Sequence, residues 1–140
     1  MDAEYEALVA ACAEPIYTYS ESDALADGLY VDATEKYAAE CWLAGMRFRT
    51  VFTTGVWETC VVPSVEAELA GQSLTGRLAE FLAAFVEQAR GNESRRDFSY
   101  PLEVVAEGGV LTRFVIRAHL GIWDGEYDKP YVLFLFEHED

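Results

Sequence analysis

The chain has 140 residues, of which 51% are apolar, enough to fill one core of ordinary size and no more than one domain. Its 25 acidic residues against 10 basic ones give a formal charge of −15, which excludes a general affinity for nucleic-acid backbone or anionic membrane, since both need clustered Lys and Arg. No apolar run approaches the roughly 20 residues that cross a bilayer, and Asp2, Glu4, Glu6 and Glu14 stand where a secretory signal would carry cations, so a cytoplasmic protein is expected.

Tyr5, Leu8, Val9 and Cys12 form one stripe at helical spacing, which predicts a short amphipathic helix over Ala3 to Ala13, ended by Pro15. Ile16 to Tyr19 reads as a brief β run. Ser20 is placed as an N-cap, with Asp23 three residues on completing a capping box, and Gly28 stops the short helix that follows. Leu29 to Val31 reads as a strand. Asp32 and Thr34 offer caps for a helix over Glu35 to Leu43 whose apolar face would be Tyr37, Ala38, Cys41 and Trp42, with Gly45 as its stop.

Phe48 to Phe52 has the composition of a strand, with Arg47 and Arg49 on its opposite side. Thr53 or Thr54 then caps a short helix reaching Val61, turning Val56, Trp57 and Cys60 inward, and Pro63 breaks it. Val65 to Gly71 is expected to be a loop with at most one helical turn. The clearest element is Leu74 to Arg90, capped by Ser73, where Leu74, Leu78, Phe81, Leu82, Phe85, Val86 and Ala89 keep the 3–4 spacing of a core helix. Three strands follow. Phe98 to Val104 and Val110 to Ala118 alternate apolar and polar residues around a turn at Glu107, Gly108 and Gly109, and Tyr131 to Phe136 is apolar on both faces, as in a covered strand. The fold class is therefore α+β: several short helices and one long core helix packed on an antiparallel sheet with a C-terminal three-stranded meander.

The segment from Ile16 to Val61 carries a further pattern: an aromatic run before Ala24 to Gly28, then Asp32, Ala44 with Gly45 ahead of Phe48, and Thr54 followed by Trp57. Gly76, Arg77 and Leu78 within the long helix and Asp124, Gly125 and Glu126 before the last strand continue it. This pattern resembles a family of uncharacterised proteins from bacteria, plasmids and phages, domain of unknown function 6573, from which the chain departs at Arg49, where proline is expected. The resemblance implies a mobile-element setting and brings no activity and no site residues.

The candidate chemistry is sparse. Cys12, Cys41 and Cys60 are odd in number and widely spaced, and read as buried thiols; no metal ligand set and no cofactor motif is present. The only side chains that titrate near neutrality are His119 and His138. Arg113, Arg117 and His119 share the polar side of one strand and could bind an anion there, as in a small ligand-binding domain or enzyme, although a solvated sheet face whose basic residues offset acids such as Glu103 explains them better. Asp124 to Asp128 is read as a turn with solvated acids and not a calcium loop. Residues 1 to 40 hold ten acids and one base, Lys36, and this uneven charge is the one sharp functional signal. Asp23, Asp27, Asp32, Glu35 and Glu40 are the candidate partner-binding residues of a non-enzymatic protein that would meet a basic protein partner much as nucleic acid does. No direct nucleic-acid binding and no membrane contact are expected, with the chain a monomer or homodimer.

Overall fold

The computed structural model describes residues 19–105 and 110–139. The expected helix over Ala3 to Ala13, most of the Ile16 to Tyr19 run, Cys12 and the turn at Glu107 to Gly109 lie outside the described residues. Five strands form one sheet: β1 (Tyr30–Asp32), β2 (Arg49–Thr53), β3 (Asp97–Val105), β4 (Leu111–Ile122) and β5 (Pro130–Phe136), in the spatial order β1-β2-β5-β4-β3. β3, β4 and β5 are the expected meander. The sheet itself is mixed and not antiparallel throughout, because β2 runs parallel to β5 with Arg49 opposite Tyr131 and Phe52 opposite Phe134. Strands buried on both faces suit parallel pairing, and β2 and β5 are the two most covered strands of the sheet.

Helix α1 (Glu21–Ala26) begins at the predicted capping box, in which Ser20 Oγ accepts the Asp23 N–H and the Asp23 carboxylate accepts the Ser20 N–H. Gly28, at φ 77°, follows its end and takes the left-handed conformation that the exit requires. Helix α2 (Ala38–Ala44) starts later than the sequence suggests. The Asp32 carboxylate accepts the Thr34 N–H at 2.9 Å and the Thr34 hydroxyl at 2.6 Å, and this local turn competes with helix over residues 34–37. The covered face of α2 follows Tyr37, Cys41 and Ala44 and leaves Ala38 and Trp42 outward, Trp42 63% exposed, so the predicted apolar face of Tyr37, Ala38, Cys41 and Trp42 is only half realised.

Thr53 caps α3 (Thr54–Val56), which runs directly into a π-helical turn over Trp57–Val61 with Trp57, Cys60 and Val61 buried. Helix α4 (Val65–Leu69), capped by Ser64, occupies the segment expected to be loop. Helix α5 (Leu74–Arg90) matches the prediction from its Ser73 cap to its last residue. It lies on one face of the sheet, where Leu78, Phe81, Leu82 and Phe85 meet Phe52, Phe98, Tyr100, Ile116 and Phe134 in the main core. The opposite face carries a smaller cluster of Val51, Trp123, Tyr131, Leu133 and Leu135, against which Leu25 of α1 packs.

Helix α5 also buries a cation. Arg77 is 5% exposed and donates to the carbonyls of Cys60 (3.2 Å), Thr59 (3.2 Å) and Val105 (2.8 Å) and to Gln72 Oε1 (2.9 Å). The guanidinium thus ties the π-helical turn and the end of β3 to the core helix. Its proximity does not activate Cys60, whose thiol burial pushes up to about 12. Arg77→Leu should destabilise the protein by about 2–4 kcal/mol in urea denaturation, because it strands buried carbonyls, and Arg77→Lys should recover only part, lacking the planar fork of donors.

Candidate functional site

The first turn of α1 and the turn that follows β4 are joined across about a hundred residues of sequence. Ser22 donates its N–H to Asp124 Oδ1 at 3.0 Å and its hydroxyl to Asp124 Oδ2, and accepts from the Trp123 indole N–H at 3.0 Å. Asp124 returns its own N–H to Glu21 Oε1 at 3.1 Å. The turn can meet the helix this way because Asp124 takes φ 51° and Gly125 φ 77°, left-handed positions that Asp tolerates and Gly adopts freely. Trp123, buried at 3% exposure, anchors the turn against Tyr131 and receives the Arg49 guanidinium on its ring face at 3.6 Å.

The lock brings together carboxylates from two distant segments, Glu21 and Asp23 of α1 and Asp124 of the turn. Exposed acids adjoin them in sequence, Asp27 just past the end of α1 and Glu126 and Asp128 further along the turn. The Ser22 hydroxyl, and then its N–H, hold Asp124 below the usual carboxylate range, and the charge of Asp23 works against them. Burial first, then the negative charge of Glu21, raises Tyr30; Tyr131 is raised by burial first, then Glu21, Tyr30 and Asp124. Two cations among the described residues lie beside this group: Lys129, ion-paired with Glu126 at 2.6 Å and raised first by that hydrogen bond, and Arg49, which stacks on Trp123 and is paired with Asp32.

Of the five acids expected to face a partner, only Asp23 and Asp27 belong to this group. Asp23 closes the capping box, and Asp27 accepts the Tyr19 hydroxyl at 2.5 Å. Asp32 pairs with Arg49 Nε at 2.6 Å and holds Thr34, so its charge is answered within the fold. Glu40 lies on α2, which packs against α5 on the other side of the sheet, and Glu35 is exposed in the turn before α2. Asp124, Glu126 and Asp128, read from sequence as an ordinary solvated turn, are the members that sequence reasoning missed. The left-handed signal of Asp124-Gly125 marks a tight turn, and nothing local to it announces Ser22.

Arg113, Arg117 and His119 do share one side of β4, opposite α5. There Arg117 meets Asp97 of the neighbouring strand through Nε (2.8 Å) and a terminal nitrogen (2.7 Å), and His119 Nδ1 lies 3.1 Å from the same carboxylate. The cations proposed for an anion are thus already matched by a carboxylate, and Arg113 stands in register with Glu103. His119 Nε2 sits beside Gly121, where a Cβ would approach it to 3.2 Å; among the described residues no hydroxyl or thiol hydrogen-bonds it as a nucleophile would. Among the described residues no three of His, Cys, Asp and Glu converge to hold a metal ion, and no helix is long and apolar enough to cross a membrane.

No family model, curated protein or solved structure matches the chain.

The Asp97 pairing has a measurable consequence. The Arg117 hydrogen bond, ahead of the contribution of His119, holds the Asp97 carboxyl below the ordinary carboxylate range. A carboxylate lowered on folding stabilises the protein above its unfolded pKa, and that contribution disappears as pH falls through the folded pKa. Arg117→Ala should therefore move the Asp97 titration upward toward the usual value near ~3.9, followed by carboxyl-carbon NMR, and reduce the stability gained between acid and neutral pH.

Proposed function

We propose that the protein is a non-enzymatic binding or accessory protein that engages a basic protein partner through the carboxylates of α1 and the Trp123 turn. The observation that carries this reading is the Ser22–Asp124 lock, which joins acids from two segments a hundred residues apart, where the neighbouring cations Lys129 and Arg49 are already paired with Glu126 and Asp32. A phosphate-binding surface on the partner offers Lys and Arg at spacings that rigid carboxylates can meet, so the surface would act as a nucleic-acid mimic and inhibit the partner by occupying it. Negative charge of this density steers association and makes it sensitive to salt. The resemblance of the residue pattern to the plasmid and phage family supports a mobile-element setting, in which proteins that blunt host nucleic-acid-binding systems have a use.

The alternative, a small ligand-binding domain or enzyme centred on Arg113, Arg117 and His119, is weakened by the Asp97 carboxylate that those side chains already share.

Asp27, Glu126 and Asp128 are exposed and can be reversed without removing a cap or the turn lock. The protein should recover a nucleic-acid-binding protein from host lysate, and the triple reversal Asp27→Lys, Glu126→Lys, Asp128→Lys should reduce recovery at least tenfold. Glu40→Lys, on the other side of the sheet, should leave it unchanged. Recovery that survives the triple reversal would remove the reading.

A further inference from the structure

β4 runs for twelve residues from Leu111 to Ile122, about 36 Å, so its first residue lies at the opposite end of the sheet from the Trp123 turn. The surface there differs in kind. Ala67 of α4 is 1% exposed and faces inward, which turns Val65 and Leu69, four residues apart on the same side, into solvent at 70% and 84% exposure. Val62, before α4, and Val110 and Leu111, at the start of β4, are exposed as well. Single exposed aliphatic residues are ordinary on a soluble protein; several gathered around a concavity are not.

The concavity is present. A cleft of about 630 Å³ runs between Val62, Val65 and Val105, and a second of about 330 Å³ extends toward Leu111; the two meet at Arg77 and Val105. Glu58 and Glu66 line the first, and Glu80 lines the second; all three are exposed, and none is in an ion pair. Among the described residues lining the two clefts the one cation is Arg77, buried in the floor with its N–H groups directed to carbonyls. A visiting ammonium or guanidinium would therefore be attracted at the rim and repelled at the floor.

We propose that this cleft docks a basic amphipathic segment of a partner protein, its apolar side chains lodged against Val62, Val65 and Leu111 and reaching Leu69, one turn beyond Val65 on the same side of α4, and its Lys or Arg side chains meeting Glu58, Glu66 and Glu80. The charge pattern selects the occupant: an acidic segment would be repelled at the rim, and a purely cationic one would have nothing to offer the aliphatic side chains around the cleft. The mode is a helix laid in a groove, with anchors at every third or fourth position. This inference does not rest on the role given to the α1 carboxylates, which lie at the far end of the sheet.

A labelled 14-residue helical peptide of Leu and Lys, with leucines on one face only, is a suitable probe, and a peptide of equal charge with serine in place of leucine is its control. In fluorescence anisotropy at 0.15 M salt the leucine peptide should bind the full chain at least tenfold more tightly than the serine peptide. Val65→Ser with Leu69→Ser, which leaves the charge unchanged, should weaken the leucine peptide at least tenfold, whereas Asp27→Asn with Asp128→Asn should change it less than twofold. Both substituted side chains are exposed, so the melting temperature should stay within a few degrees. Amide chemical shifts of the unmodified protein supply a second readout, and peptide-induced changes should centre on residues 58–69, 105 and 111. Equal affinity for the Val65/Leu69 variant, equal affinity for the serine peptide, or shift changes centred on α1 would each overturn the proposal. So would a dimer of the free protein that the Val65/Leu69 variant converts to monomer, since the occupant would then be a second copy of the chain.

Discussion

The contact on which the rest of the architecture depends is the one between Phe52 and Phe134, side by side on parallel strands with ring centroids 5.1 Å apart. β2 belongs to the helical first half of the chain and β5 to the last few residues, so this pairing closes the whole sequence into one sheet. Phe81 of α5 stands edge-on to both rings, 5.1 Å from Phe52 and 4.9 Å from Phe134, and Phe85 meets Phe134 at 4.8 Å. Such aromatic pairs contribute roughly 0.5–1.5 kcal/mol each beyond the area they bury, and here they share members, so loss of one ring weakens several at once. A long loop must be closed before this cluster exists, and the cluster compensates that entropy in one place.

Parallel pairing also fixes what can happen on the far face. With β2 and β5 adjacent, Val51, Leu133 and Tyr131 form a continuous apolar strip, and α1 and the Trp123 turn cover part of it through Leu25 and the indole. The Ser22–Asp124 lock is therefore a consequence of covering a second core as much as a feature of the surface. Arg49 shows the same economy: its guanidinium pairs with Asp32 and stacks on Trp123, tying the β1 edge to the turn.

Elements whose signals are local were legible in the sequence, and contacts between distant segments were not. The seventeen residues of α5 repeat one period between a Ser cap and a Gly stop, and the α1 capping box is spelled within four residues, so both were readable to the residue. The meander was readable from alternation. The parallel partner of β2 was not, because residues 49–53 are equally suited to any covered strand and only tertiary packing chooses β5. Trp42 was misplaced because a face through Ala38 and Trp42 and one through Tyr37, Cys41 and Ala44 satisfy the same helical period, and packing chose the second; the Trp42 ring instead lies under Arg47, 3.6 Å from its centroid to the guanidinium carbon. The pairing of Arg117 and His119 with Asp97 depends on the β3–β4 register, in which Asp97 falls opposite His119, and alternation gives face without register. Arg77 stood in a helix of apolar and small residues without any sign that backbone carbonyls would receive it.

The distribution of charge follows from which side chains the fold requires. Arg49, Arg77 and Arg117, which in solution would offset the acids, are engaged by Asp32, by backbone carbonyls and by Asp97. Glu21, Asp23 and Asp124 also have structural tasks: they accept backbone N–H groups at the start of α1 and in the turn, where the helix dipole favours negative charge, and this offsets the cost of placing like charges together. They set the position of the carboxylate surface without being free to adapt to what meets it. Asp27 and Asp128 are exposed and outside the turn lock, and Glu126 is held only by an exposed ion pair of the kind worth about 0–1 kcal/mol. Under the proposed reading, recognition of a basic partner falls on this outer set, whose ionic contacts can be exchanged at little cost to stability, with the inner set as the base that fixes where α1 and the turn stand.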